Sequence, residues 1–84
     1  MKDERGLYYY PSPGDHRERM YVKEAEGVVW FRMWNAADTT LWDQHDWVPY
    51  GAILRAAEMY NGKDFDPRRA YDIEAARALL REGT

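Results

Sequence analysis

The residues best suited to bind a ligand are aromatic rings and cations spread over two predicted strands. Apolar and polar residues alternate from Arg19 to Glu24, and a strongly β-forming run follows from Val28 to Trp34. If one face of this strand pair carries the core, the other presents Arg19, Tyr21, Lys23, Trp30, Arg32 and Trp34. Such a mixture can anchor a protein partner, or it can stack the bases and hold the phosphates of single-stranded nucleic acid.

The same rings and cations also have a purely structural interpretation. The N-terminal segment or the stretch Asn35–Trp47 would cover them, and they would then form cation–π pairs with each other. The solvent exposure of Tyr21, Trp30, Arg32 and Trp34 separates the two interpretations. Covered side chains belong to the core, whereas exposed ones form a binding site.

A protein partner, or a second copy of the chain, is favoured over nucleic acid as the ligand of this predicted face. Aromatic residues make up 15% of the chain, which is more than a core of this size needs. Residues 16–34 carry four cations against three carboxylates, and residues 35–66 carry two against six. Non-specific nucleic-acid binding depends on neutralising several phosphates, so this weak field makes nucleic acid an unlikely partner.

The stretch Trp42–Trp47 is the second candidate for chemistry. It places His45 between Asp43 and Asp46, a combination that could act as an acid–base pair or, with His16 and Asp15, contribute to a metal site. Its spacing matches no specific metal motif. We interpret the carboxylates as helix-cap or surface charges and the tryptophans as the edge of the core. A metal- or histidine-assisted hydrolase stays an alternative hypothesis.

Covalent catalysis and phosphate binding have no recognisable motif in the chain. There is no cysteine, and the single serine, Ser12, lies between two prolines. The six glycines are scattered and form no phosphate-binding loop. We therefore predict no catalytic residues and no cofactor, and a binding or accessory role rather than an enzyme.

Four arginines near the C-terminus form a further positive group. They are interleaved with acidic residues, so exposed pairing along the helix is the preferred interpretation over an acidic partner. The four are Arg68, Arg69, Arg77 and Arg81.

The elements that carry these residues follow from hydrophobic periodicity and turn residues. Leu7–Tyr10 adds a third strand to the pair above, before a loop rich in proline. A short helix is expected near Thr40–Asp46 and longer helices over Pro49–Tyr60 and Asp72–Glu82. The prediction is an α+β fold in two layers, in which a three-stranded antiparallel β-sheet from the N-terminal half packs against two to three α-helices.

Length and composition favour one domain over residues 1–84, with residues 1–6 as a flexible N-terminus. The 84 residues are 45% hydrophobic and carry a net charge of −3. No apolar run follows Met1, and none reaches the roughly 20 residues of a membrane span. The expected location is the cytoplasm, without a membrane partner.

Overall fold

The alternating segments of the N-terminal half form one antiparallel sheet, and helices from the C-terminal half cover one of its faces. The computed structural model describes residues 1–12, 14–59 and 71–83. The strands are β1 Lys2–Asp3, β2 Gly6–Tyr9, β3 Glu18–Ala25, β4 Val28–Asn35 and β5 Val48–Pro49, and the helices are α1 Leu41–Gln44, α2 Tyr50–Met59 and α3 Ile73–Glu82. The α+β class with an antiparallel sheet is confirmed.

The sheet of the described residues has five strands in the order β1-β2-β3-β4-β5, so the prediction of three strands is wrong. The two additional strands are the outermost ones, and each has only two residues. Two residues are too few to show alternation in the sequence. Pro49 is tolerated in β5 because this strand lies at the edge of the sheet and pairs with a neighbour on one side only.

The hairpin β3–β4 is the centre of the sheet and has the predicted strand pairing. Its register runs from Glu18↔Asn35 to Ala25↔Val28, with Glu26 and Gly27 as the two-residue turn. Both turn residues have positive φ, 55° and 77°. Positive φ at both central positions matches the twist of a hairpin turn of type I′. A turn of this kind fixes which side chains of β3 and β4 share a face.

The N-terminal residues add a short strand where a flexible segment was expected. Lys2 pairs with Leu7 and Asp3 pairs with Gly6. The backbone N–H of Tyr8 donates to the carbonyl of Met1 at 3.0 Å. Residues 1–6 therefore include part of the sheet, and the side chains of β1 are brought next to β3.

The main core lies between the sheet and the two long helices. Alternate side chains of β3 and β4 point towards this core, as the alternation predicted, and Ile53 of α2 and Ala76 of α3 complete it. Its buried members are Met20, Val22, Val29, Phe31, Ile53 and Ala76. Leu54, which follows Ile53 in α2, is 37% exposed.

Local hydrogen bonds set where α3 begins and ends. The Asp72 side chain accepts from the backbone N–H groups of Glu74 and Ala75, which makes Asp72 the N-cap. The backbone N–H of Asp72 in turn donates to the Tyr9 hydroxyl at 2.8 Å, which ties the start of the helix to β2. At the other end, the N–H of Gly83 donates to the Leu79 carbonyl.

Some predictions fall outside the described residues. They concern the predicted end of the Pro49–Tyr60 helix and the arginines Arg68 and Arg69. Within the described residues, no helix is long and apolar enough to cross a membrane.

Candidate functional site

The six predicted binding residues lie together as three directly opposed pairs. Arg19 is opposite Trp34, Tyr21 opposite Arg32, and Lys23 opposite Trp30. The main core uses the intervening residues of both strands, so these six occupy the other face of the sheet. We call this side, together with the rings that pack on it, the aromatic face.

Tyr21 is the buried centre of the aromatic face and is not a surface residue. Its relative exposure is 0%. The rings of Tyr8 and Trp42 pack on it, with centroids at 5.3 Å and 5.2 Å. Burial and the adjacent Asp3 carboxylate raise the pKa of Tyr21. Tyr21 therefore serves as core, in line with the structural interpretation of the face.

Asp3 of β1 closes one end of the aromatic face. Its carboxylate accepts a hydrogen bond from the Tyr21 hydroxyl and lies 2.9 Å from Nη1 of Arg19. Desolvation acts to raise the pKa of Asp3. The hydrogen bonds from Tyr21 and from the Arg5 amide, with the charge of Arg19, outweigh it and lower that pKa. The N-terminal strand is thus joined to the face through an ionised carboxylate.

The cations of the face lie over its rings. The Arg19 guanidinium carbon is 4.9 Å from the ring centroids of both Tyr8 and Trp34. Arg5 lies 5.7 Å from Trp34 and 5.8 Å from Trp42. These distances are within the range of cation–π attraction, so each arginine stabilises the ring that it covers. Arg19 also pairs with Asp3, and Arg5 lies 3.8 Å from Glu4.

Arg32 fastens the segment after β4 to the sheet. Its guanidinium lies 4.0 Å from the Trp42 ring centroid. Its Nε donates to the carbonyls of Trp42 and His45, both at 3.1 Å, and Nη2 donates to the Trp42 carbonyl as well. Arg32 is therefore a structural clamp, because its donors are directed at the backbone of its own chain.

All four tryptophans of the chain belong to the aromatic face, and all four are partly buried. Trp30 and Trp34 come from β4. Trp42 comes from α1, and Trp47 precedes β5 and meets Trp42 edge to face at 6.0 Å. Sequence reasoning selected Trp30 and Trp34 as binding residues, whereas it interpreted Trp42 and Trp47 as the edge of the core in a second, separate candidate stretch. The signal for Tyr8 was available, since it alternates with the core residues Leu7 and Tyr9 in β2.

An open cleft of about 360 Å³ lies at the hairpin end of the face. Lys23, an exposed residue, has its Nζ 4.5 Å from the Trp47 ring centroid. The Nε1 atom of Trp30 is buried and has no hydrogen-bond partner among the described residues. The cleft is lined by Lys23, Ala25, Glu26, Trp30, Asp46 and Trp47.

The two histidines have separate environments. His16 stacks on Tyr10 with ring centroids 4.1 Å apart. His45 and Asp46 border a cavity of about 300 Å³, whose other walls include Leu41 and Tyr71. Across the described ranges, no group of three or more histidine, aspartate or glutamate side chains is placed to hold a metal ion.

Of the four predicted C-terminal arginines, the described residues include Arg77 and Arg81. Both lie on α3 beside a shallow cleft that also has Glu24, Glu74 and Leu80 in its walls. The cleft has a volume of about 570 Å³. Its lining has two carboxylates and two guanidinium groups, so it has no excess of one charge.

Comparisons of the chain with models of protein families, with curated proteins and with solved structures found no match.

Proposed function

We propose that this protein is a binding module that contacts a protein partner through its aromatic face. The observation that carries the proposal is the position of the four tryptophans, which all lie on this face and all keep part of their surface in solvent. If the four tryptophans served only as core, we would expect them on the helix side of the sheet, where they would be fully buried. Tryptophan and arginine are the residues that most often anchor protein interfaces.

A protein ligand is better supported than single-stranded nucleic acid. Base stacking needs free ring faces, whereas arginine or lysine groups lie over the rings of Tyr8, Trp34, Trp42 and Trp47. The cations around the face exceed the nearby carboxylates by only one. Arg5, Arg19, Lys23 and Arg32 lie near the carboxylates Asp3, Glu26 and Asp46, so the field for holding several phosphates is weak.

Site-specific cross-linking tests the proposal. A photoreactive residue placed at Lys23, which is exposed on the aromatic face, is compared with the same residue at Arg55, which is exposed on α2. We expect discrete protein adducts from position 23, either with a second copy or with a partner from extracts of the source cells. We expect none of these adducts from position 55.

Sedimentation of the unmodified chain over a wide concentration range separates the two kinds of partner. A concentration-dependent dimer that Lys23→Glu weakens and Arg55→Glu does not would identify the partner as a second copy. A strict monomer whose two cross-linking positions give the same adducts, or none, would contradict a role for this face in protein binding.

A further inference from the structure

The cleft at the hairpin end of the aromatic face combines ring surfaces with carboxylates. Trp30 and Trp47 line it, and so do Glu26 and Asp46. Lys23 is the only cation among its lining residues, so the described lining has one positive and two negative groups. This composition differs from the rest of the face, where guanidinium groups cover the rings.

The Trp47 ring already holds a cation on its face. The Lys23 ammonium lies 4.5 Å from the ring centroid, which is within the distance of a favourable cation–π contact. The Lys23 side chain is exposed and flexible, so its ammonium can leave the ring for solvent at little cost. The position over Trp47 is therefore a cation site that a ligand can reach.

Trp30 supplies a second ring beside that site. It is directly opposite Lys23 in the register of β3 and β4. Among the described residues it has no aromatic or cation–π partner, in contrast to Trp34, Trp42 and Trp47. Indole is the strongest of the neutral aromatic side chains as a cation acceptor.

The two carboxylates favour a positive ligand. Glu26 is exposed in the hairpin turn and has no ion pair within the part of the chain that the structure describes. Asp46 is 89% exposed, and its nearest cation is Nη1 of Arg32 at 3.8 Å. Glu26 keeps its full charge, and the contact of Asp46 with Arg32 is long and solvent-exposed on the Asp46 side. The two carboxylates outnumber Lys23 in the lining, so they favour a cation in the cleft.

We infer that the cleft between Trp30 and Trp47 binds a quaternary ammonium group in the place over Trp47 that Lys23 Nζ now holds. A quaternary ammonium has no N–H groups that need acceptors and loses little hydration against a ring, which suits walls made of indole. The cleft volume of about 360 Å³ admits such a group. The inference deepens the proposed function, on which it rests in assigning the ligand to the aromatic face.

Titration with tetramethylammonium chloride, against sodium chloride at equal ionic strength, tests the inference. The readout is the set of four indole N–H signals in a nitrogen-edited NMR spectrum. We expect saturable shifts at Trp30 and Trp47 and smaller ones at Trp34. Choline and a short peptide with trimethyllysine are the two further arms, and the tighter of them shows whether the group comes from a small molecule or from a protein.

Lys23→Met supplies the decisive variant, because it removes the internal competitor and keeps an apolar stem. We expect it to tighten tetramethylammonium binding by at least threefold, since the ligand then meets a free ring and one positive charge fewer. Lys2→Met removes the same charge from an exposed position of β1 and should leave the affinity unchanged. Glu26→Gln and Asp46→Asn should each weaken it.

The inference is overturned if no saturable shift occurs, if the four indole signals shift alike, or if Lys23→Met and Lys2→Met bind alike. These outcomes do not affect the cross-linking experiment on the whole face. A failure of the quaternary ammonium site is thereby distinguishable from a failure of the proposed protein-binding role.

Discussion

Asp3 joins the N-terminal strand to the aromatic face through two side chains. It accepts from the Tyr21 hydroxyl and pairs with Arg19 at 2.9 Å. The pKa of Asp3 is lowered from its ordinary value of 3.8 by these partners. Because the pKa of Asp3 is lower in the folded chain than in the unfolded chain, its carboxylate stabilises the fold at any pH above the unfolded-state pKa. That stabilisation is lost as the pH falls through the folded-state pKa.

Asp3→Asn should therefore lower the free energy of unfolding at pH 7 by about 1 kcal/mol, because the amide keeps the shape but loses the charge-assisted bonds. The difference from the unsubstituted chain should shrink as the pH falls below 3.8. Urea unfolding at the two pH values measures both effects. Glu4→Gln is the matched control, since Glu4 is exposed and its ion pair among the described residues is the long one with Arg5, at 3.8 Å. An equal loss in both variants would disprove the role of Asp3.

The six predicted binding residues show which features can be predicted from residue types and their order alone. Alternation and β propensity placed them on one face, and the observed register pairs them directly. Exposure could not be predicted in the same way. Tyr21 is covered by Tyr8 and Trp42, which are distant in sequence, and the alternation of one strand carries no information about such cover.

The hairpin turn is the element on which the register of the face depends. Glu26 occupies the first turn position with a φ of 55°, and Gly27 the second with 77°. A left-handed conformation costs most residues free energy, whereas asparagine and glycine adopt it readily. Glutamate at the first turn position is therefore less favourable in free energy than asparagine or glycine would be.

Glu26→Asn should raise the free energy of unfolding by about 0.5–1 kcal/mol, because it relieves the left-handed conformation. Gly27→Ala should lower it, since alanine gains a Cβ at the same kind of φ. Thermal and urea unfolding of the two variants measure the pair of opposite effects. A loss of stability in Glu26→Asn would show that the glutamate side chain makes a contribution larger than the strain of its backbone.

The two outer strands, β1 and β5, could not be predicted from the sequence. β1 and β5 have two residues each, and neither pattern nor propensity identifies a strand of that length. Each forms because a longer neighbour offers unpaired backbone groups at the sheet edge. The longer elements, β3, β4 and α3, were close to their predicted bounds because their periodicity extends over eight to ten residues.

The whole molecule is organised around a sheet with different packing on its two sides. Phe31 belongs to the apolar core on the helix side and meets Tyr50 and Tyr71. Arg19 and Trp34 belong to the aromatic face and contact each other. The sheet separates these two groups, so their energetic contributions should be independent.

A double-mutant cycle tests this separation. Phe31→Leu and Arg19→Met should have additive effects on the free energy of unfolding, within about 0.5 kcal/mol. Arg19→Met and Trp34→Leu should instead be non-additive by about 0.5–1 kcal/mol, the range of a cation–π contact. Urea unfolding of the single and double variants gives both coupling energies. Coupling across the sheet as large as coupling within the face would contradict the two-sided organisation.

The sequence by itself determined the class of fold, the central hairpin and the face that each of its side chains occupies. These features follow from local periodicity and turn residues, which are properties of neighbouring positions in the chain. Only the tertiary structure decided which residues of the aromatic face are exposed, because β1, Tyr8 and the stretch after β4 reach that face from elsewhere in the chain. It also brought Trp47 and Asp46 beside Trp30 and Lys23, and this juxtaposition, which no single segment contains, carries the quaternary ammonium site.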